Sequence, residues 1–170
     1  MKFDVLIKNG LIFDGSGAKG FRADLGIRGD RIESIGDLSG STGSSEIDAS
    51  GKIVCPGFID THSHSGVLAL CSPDTPHNVM QGITTCVVGQ DAMGAAPMVD
   101  AFVGSWKKAM AGLEGSYDLD WSWRSVSDYL DRLDAMDLGP NFAYLAPHGN
   151  IRMSVMGLDN RKPTPEELEK

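Results

Sequence analysis

The chain has 170 residues, 41% of them hydrophobic, and a formal net charge of −8, which suits one domain or slightly more with a real core. That acidity repels phosphate backbones and anionic lipid, so nucleic acid and membrane surfaces are excluded as first partners. The opening MKFDVLIKNGLIFDG does not read as a signal peptide, because Asp4 and Lys8 interrupt its apolar residues, and no run is long enough to span a bilayer. The three cysteines, Cys55, Cys71 and Cys86, lack zinc-knuckle spacing. An odd number in a chain with no export signal predicts free thiols and a cytoplasmic protein.

Residues 1–55 read as short strands. DVLIK and LIFDG flank Asn9-Gly10, a pair that favours a two-residue hairpin turn. LGIR and RIESIG flank Gly29-Asp30 and predict a second hairpin. SGSTGSS, residues 39–45, reads as a flexible surface loop, and DASGK, residues 48–52, as a tight turn leading into the extended stretch IVCPGFIDTHSH.

From Pro56 onward the texture changes. ITTCVVG, residues 83–89, is β-branched and apolar on both faces, as a buried parallel strand should be. MVDAFVGSWKKAM sets Val99, Phe102, Val103, Trp106 and Met110 at helical spacing. SVSDYLDRLDAMDLG repeats the pattern with Val126, Tyr129, Leu130 and Leu133, with Ser125 as N-cap and Gly139 as the stop. Residues 141–146 read as another buried strand. The alternation predicts an α/β fold with a parallel sheet. Thr164-Pro165-Glu166-Glu167 is a capping box that opens a helix three residues before Lys170. The chain is therefore expected to be the N-terminal segment of a longer protein.

The chemistry concentrates in GFIDTHSHSG, residues 57–66. Residues two apart in a strand share a face, so His62 and His64 would aim both imidazoles at one spot, with Phe58 and Asp60 deeper on that face. Two convergent imidazoles are half of a zinc-type site. Strand C-termini are where parallel α/β folds hold ligands. ITTCVVGQD ends at Asp91, where a neighbouring parallel strand would open onto the same rim. A carboxylate there suits a metal ligand, a helix cap or a loop hydrogen bond. His148, in APHGN, holds a similar position at the end of the third strand and suits either a substrate contact or a loop anchor. Cys86 reads as packing, and His77 as part of a helix start.

DASGKIVCPGFIDTHSH resembles the signature of the amidohydrolase superfamily. QGITTCVVGQD, NFAYLAPHGNIRMSVMG and NRKPTPEELEK are similar to its D-aminoacylase, or N-acyl-D-amino-acid deacylase, branch, and the similarity runs over essentially the whole chain. The resemblance implies the start of a metal-dependent (β/α)8 TIM barrel over residues 56–170, preceded by part of a small β-sandwich-like domain over residues 1–55. It implies one or two zinc ions at the barrel mouth, with His62 and His64 as ligands. The branch carries a bridging cysteine in a G-N-C-G context, where this chain has Gly89-Gln90-Asp91-Ala92. Asp91 is expected to keep that ligand role, as a harder donor, and Asp60 to orient a histidine or make a buried hydrogen bond.

The activity so implied is metal-assisted hydrolysis of an N-acyl-D-amino acid, a small-molecule substrate that His148 would contact. Two further histidine ligands and the aspartate general base are expected beyond residue 170. A barrel of this kind needs about 250 residues, so residues 56–170 supply only its first units and the segment alone is expected to be inactive and not to fold stably. The signature leaves open a cyclic amidase, a deaminase or a non-catalytic barrel paralogue.

Overall fold

In the computed structural model, which describes residues 1–170, the chain falls into two units, Met1–Pro56 and Gly57–Lys170. The first is a five-stranded sheet of β1 (Lys2–Ile12), β2 (Phe21–Arg28), β3 (Arg31–Gly36), β4 (Thr42–Asp48) and β5 (Ile53–Val54). β1 lies in the middle, antiparallel to β2 and parallel to β4 and β5, and β3 pairs antiparallel with β2. Phe3, Leu6 and Leu38 form its buried cluster.

The expected hairpin at Gly29-Asp30 is present: Gly29 takes a left-handed φ of 57° and Arg28 pairs with Arg31. The expected hairpin at Asn9-Gly10 is not. β1 runs straight through it, and the left-handed φ of 63° at Asn9 is absorbed by a bulge between Ile7 and Gly10. Both halves of β1 find β2 as partner, so the chain has no reason to fold back on itself. The Asn9 N–H leaves the ladder and donates to Asp24 Oδ1 at 2.8 Å.

The predicted surface loop at 39–45 is also corrected. Its second half opens β4, with Thr42 and Gly43 beside Lys2 and Phe3. Strand pairing asks only for backbone groups there, and β1 supplies them whatever the side chains prefer.

Asn9 Nδ2 donates to Asp48 Oδ1 at 3.0 Å, and the Ser50 hydroxyl and N–H donate to the same oxygen at 2.6 and 3.0 Å. The Asn9 amide first, then Ser50, hold the Asp48 carboxyl down at about 2. A depressed carboxylate stabilises the fold above its unfolded pKa, and that contribution is lost as pH falls through the folded value. Asn9→Gly keeps the left-handed backbone and deletes the amide. An NMR titration is expected to show Asp48 moving up toward the usual carboxylate range, with acid unfolding beginning at higher pH.

The second unit carries a parallel sheet of β6 (Phe58–Asp60), β7 (Ile83–Val88) and β8 (Asn141–Tyr144), in that order. Between β6 and β7 lie α1 (Gly66–Ala69) and α2 (Pro76–Val79). Between β7 and β8 lie a 3₁₀ turn (Asp100–Phe102), α3 (Val103–Glu114) and α4 (Val126–Asp134). α5 (His148–Met156) and α6 (Pro165–Leu168) follow. This is the mixed α/β arrangement that the alternation of patterns predicts. No helix is long and apolar enough to cross a membrane.

Both predicted amphipathic helices form, at altered boundaries. α3 starts at Val103 after the 3₁₀ turn, leaving Met98 and Val99 in the preceding segment, while Trp106 and Met110 are buried as their spacing requires. α4 opens on Ser125, whose hydroxyl accepts the Asp128 N–H in a full capping box. It ends at Asp134, not at Gly139. Gly139 instead serves a long-range contact. Its N–H donates to Pro73 O at 3.1 Å, and a Cβ there would collide with Asp74 O. The Thr164 capping box forms as predicted.

The core packs Trp106, Met110, Trp123, Tyr129, Leu133 and Met153. Its aromatic polar atoms tie down the loop after β7. Trp106 Nε1 donates to Gly94 O at 3.0 Å and Trp123 Nε1 to Ala95 O at 2.8 Å. Asn150 in α5, fully buried, accepts the Gly94 N–H at 2.9 Å and donates to Gly94 O and Pro97 O at 2.8 and 3.0 Å. Asn150→Ala strips partners from buried backbone groups, so it is expected to destabilise the unit by about 2–4 kcal/mol in a denaturant titration.

Candidate metal centre

β6 ends at Asp60, so strand alternation does not reach the two histidines as predicted. A local turn and one ladder bond bring them together instead. Asp60 Oδ1 accepts the His62 N–H at 3.1 Å, which shapes the chain as it leaves the strand. Ser63 N–H donates to Val87 O at 3.0 Å, which stitches the segment to β7 between the histidines. Both rings emerge on one side, with centroids 5.4 Å apart.

β7 delivers the carboxylate. Gly89 follows it with a φ of 89°, and a Cβ there would collide with Leu145 O, so only glycine fits. Asp91 takes a left-handed φ of 56°, which aspartate tolerates better than most residues. Its Oδ2 lies 3.2 Å from His62 Nε2 and 3.2 Å from His64 Nε2. One ligand atom from each of the three residues lies within 4.8 Å of the others. Tetrahedral ligands at about 2.0–2.1 Å from zinc sit roughly 3.3 Å apart. The two imidazole–carboxylate spacings of 3.2 Å match that value, and the three donors together are a candidate set for a borderline divalent ion.

Gln90 links the two halves. Its Nε2 donates to Thr61 O at 2.7 Å, joining the loop that bears Asp91 to the residue before His62. Under the cluster runs a buried polar row: Ser63 Oγ and Ser65 Oγ lie 2.6 Å apart, and Asn78 Nδ2 donates to Ser65 Oγ and Cys86 Sγ. Cys86 is fully buried in the sheet, as its place in the strand pattern predicts.

The two histidines line a cleft of about 360 Å³ with Asp60, His77, Glu114 and Tyr117 among their neighbours. Sequence reasoning missed Glu114 altogether. Only 4% exposed, it accepts the Val67 N–H at 2.7 Å. Burial pushes its carboxyl up to about 7, against the pull of the Val67 and Gly66 N–H groups. The signal was legible: Glu114 lies four residues after Met110 and eight after Trp106, on the buried stripe of α3. His77, expected at a helix start, sits in α2 and also faces the cleft. His148 begins α5 and does not line it; it borders a separate groove with Arg152 and Leu168.

A parallel α/β sheet with two histidines and a carboxylate at the strand ends defines a class of candidate metal-binding scaffold. Residues 45–169 match the amidohydrolase family, and the chain belongs to it. It is 39% identical to a D-aminoacylase of Alcaligenes xylosoxydans xylosoxydans, over 98% of this chain and 33% of that one. A crystal structure of N-acyl-D-glutamate deacylase from Bordetella bronchiseptica, complexed with zinc and a phosphonate mimic of the tetrahedral intermediate, superposes with a TM-score of 0.87 at 40% identity, over 99% of this chain and 34% of that one. A D-aminoacylase structure concerned with a binuclear metal centre superposes with a TM-score of 0.84 at 35% identity, over 98% and 34%. The chain thus spans about a third of the length of these relatives.

Gln90→Ala cuts the tie between the two ligand-bearing segments without touching a candidate ligand. Zinc binding, measured by competition with a chromophoric chelator, is expected to weaken roughly tenfold while the circular dichroism spectrum is unchanged.

Proposed function

We propose that this chain carries the metal-binding end of a hydrolase that cleaves the amide of N-acyl-D-amino acids to a carboxylate and a free D-amino acid. The observation that carries the reading is the convergence of His62 and His64 on Asp91 at 3.2 Å, in a chain 39–40% identical to enzymes of that kind. His62, His64 and Asp91 are the proposed ligands of one or two zinc ions. A zinc ion in such a site lowers the pKa of a water toward neutrality and polarises a carbonyl.

This chain's own part is to hold and shape. Asp60 fixes the turn that presents His62, and Gln90 holds the Asp91 loop against it. Asp91 stands where the branch has a cysteine, and its harder oxygen shifts the preference away from soft ions. His148, near the end of β8, is the proposed contact for the part of the acyl-amino acid that reaches beyond the histidine cleft, since it borders a separate groove. No residue here is assigned as general base.

The same reading makes Gly57–Lys170 the first units of a (β/α)8 barrel and the Met1–Pro56 sheet part of a small β-sandwich-like domain. Three strands in sequence order, all parallel, support the barrel. So do Phe58 and Ile59 in β6, 59% and 62% exposed, since parallel strands are ordinarily covered on both faces. Three unpaired thiols support a reducing, cytoplasmic setting.

The test follows amine release from N-acetyl-D- and N-acetyl-L-amino acids by the full-length protein. D-selective release, abolished by a chelator and restored by zinc, is the expected result. Ring opening of dihydrouracil or hydantoin instead would move the reading to cyclic amidases. Asp91→Ala is expected to lower zinc stoichiometry, and an unchanged stoichiometry would remove Asp91 from the ligand set.

A further inference from the structure

Glu114 is a carboxyl group brought almost wholly out of water at the last position of α3. Such a group is costly to bury unless its oxygens are used. One is: Oε2 takes the Val67 N–H at 2.7 Å. The other, Oε1, faces the ring of His64, 4.0 Å from Nδ1. On its far side that ring presents Nε2 to Asp91 at 3.2 Å. His64 is therefore bracketed, with a carboxylate opposite each nitrogen.

The two brackets differ in burial. Asp91 sits on an exposed loop. Glu114 is fixed at two points, by the backbone of α3 and by the Val67 N–H, while Gly66 beside Val67 is itself held by the Tyr129 hydroxyl, which donates to Gly66 O at 2.9 Å. A histidine that gives one nitrogen to a metal must carry its proton on the other, and a fixed acceptor beside that second nitrogen sets both tautomer and ring orientation. His62 is 59% exposed and has no such partner within ion-pair reach other than Asp91.

We propose that Glu114 is a positioning residue that holds His64 through Nδ1 and so presents Nε2 as a ligand. The inference rests on the metal reading above and extends it to a residue outside the ligand set. It divides the two histidines into one held from behind and one free to reorient.

Glu114→Gln separates this role from a structural one. The Gln carbonyl oxygen still accepts the Val67 N–H, but its NH2 then faces Nδ1, a donor where an acceptor is needed. Zinc affinity of the full-length protein, measured by chelator competition, is expected to fall roughly ten- to a hundredfold, with thermal stability in excess chelator unchanged. In the cobalt-substituted protein, the paramagnetically shifted Nδ1–H proton of His64 is expected to exchange slowly in wild type and fast in the variant. Equal zinc affinity in the two proteins overturns the inference alone. Absence of zinc binding by wild type overturns the metal reading and this inference with it. Should Glu114→Gln lose stability, the wild-type exchange rates decide: a His64 Nδ1–H that exchanges as fast as that of His62 overturns the inference.

Discussion

Parallel pairing of β6 with β7 is the constraint on which the site depends. Parallel strands end on the same side, so the chain leaving Asp60 and the chain leaving Val88 emerge side by side. The Ser63–Val87 bond and the Gln90–Thr61 bond extend that pairing past the last ladder residues. Three side chains that are 27 and 29 positions apart in sequence, His64 and His62 against Asp91, then meet within hydrogen-bond distance.

The electrostatics of the rim follow from the same placement. Three carboxylates, Asp60, Asp91 and Glu114, surround two imidazoles, and each acts differently because its surroundings differ. Asp60 is consumed by a backbone N–H. Asp91 stands exposed on a left-handed loop residue and is free to meet both rings. Glu114 is buried, with one oxygen taken by a backbone N–H and the other turned toward His64. A cluster of acceptors around two imidazoles favours a cation at their centre. The buried row of Ser63, Ser65 and Asn78 beneath is satisfied within itself, so it competes little for the ligand atoms.

The scaffold spends its polar side chains on loops, where no ladder satisfies the backbone. Asn150, Trp106 and Trp123 each hand hydrogen bonds to residues 94–97, the stretch that leads away from Asp91. The loop is thereby anchored a few residues downstream of the candidate ligand. Rigid support of this kind keeps a short cluster from drifting by the ångström that separates a site from a surface.

The sequence by itself determined what depends on neighbours along the chain. The turn at Gly29, the caps at Ser125 and Thr164 and the amphipathic stripes of α3 and α4 are local patterns, and all formed where residue chemistry demanded. Only the tertiary structure decided what depends on partners far away. Asn9 became a bulge because β2 paired with both halves of β1, and residues 42–45 became strand because β1 offered a free backbone edge. Gly139 serves a contact with residues 73 and 74 instead of a helix end. Glu114 shows the division most sharply. Its position on an apolar stripe was readable, but its meaning was not, because the group it faces lies fifty residues upstream on another element. Local sequence fixes which backbone shapes are cheap; the distance between a carboxyl and an imidazole is set only when the whole unit packs.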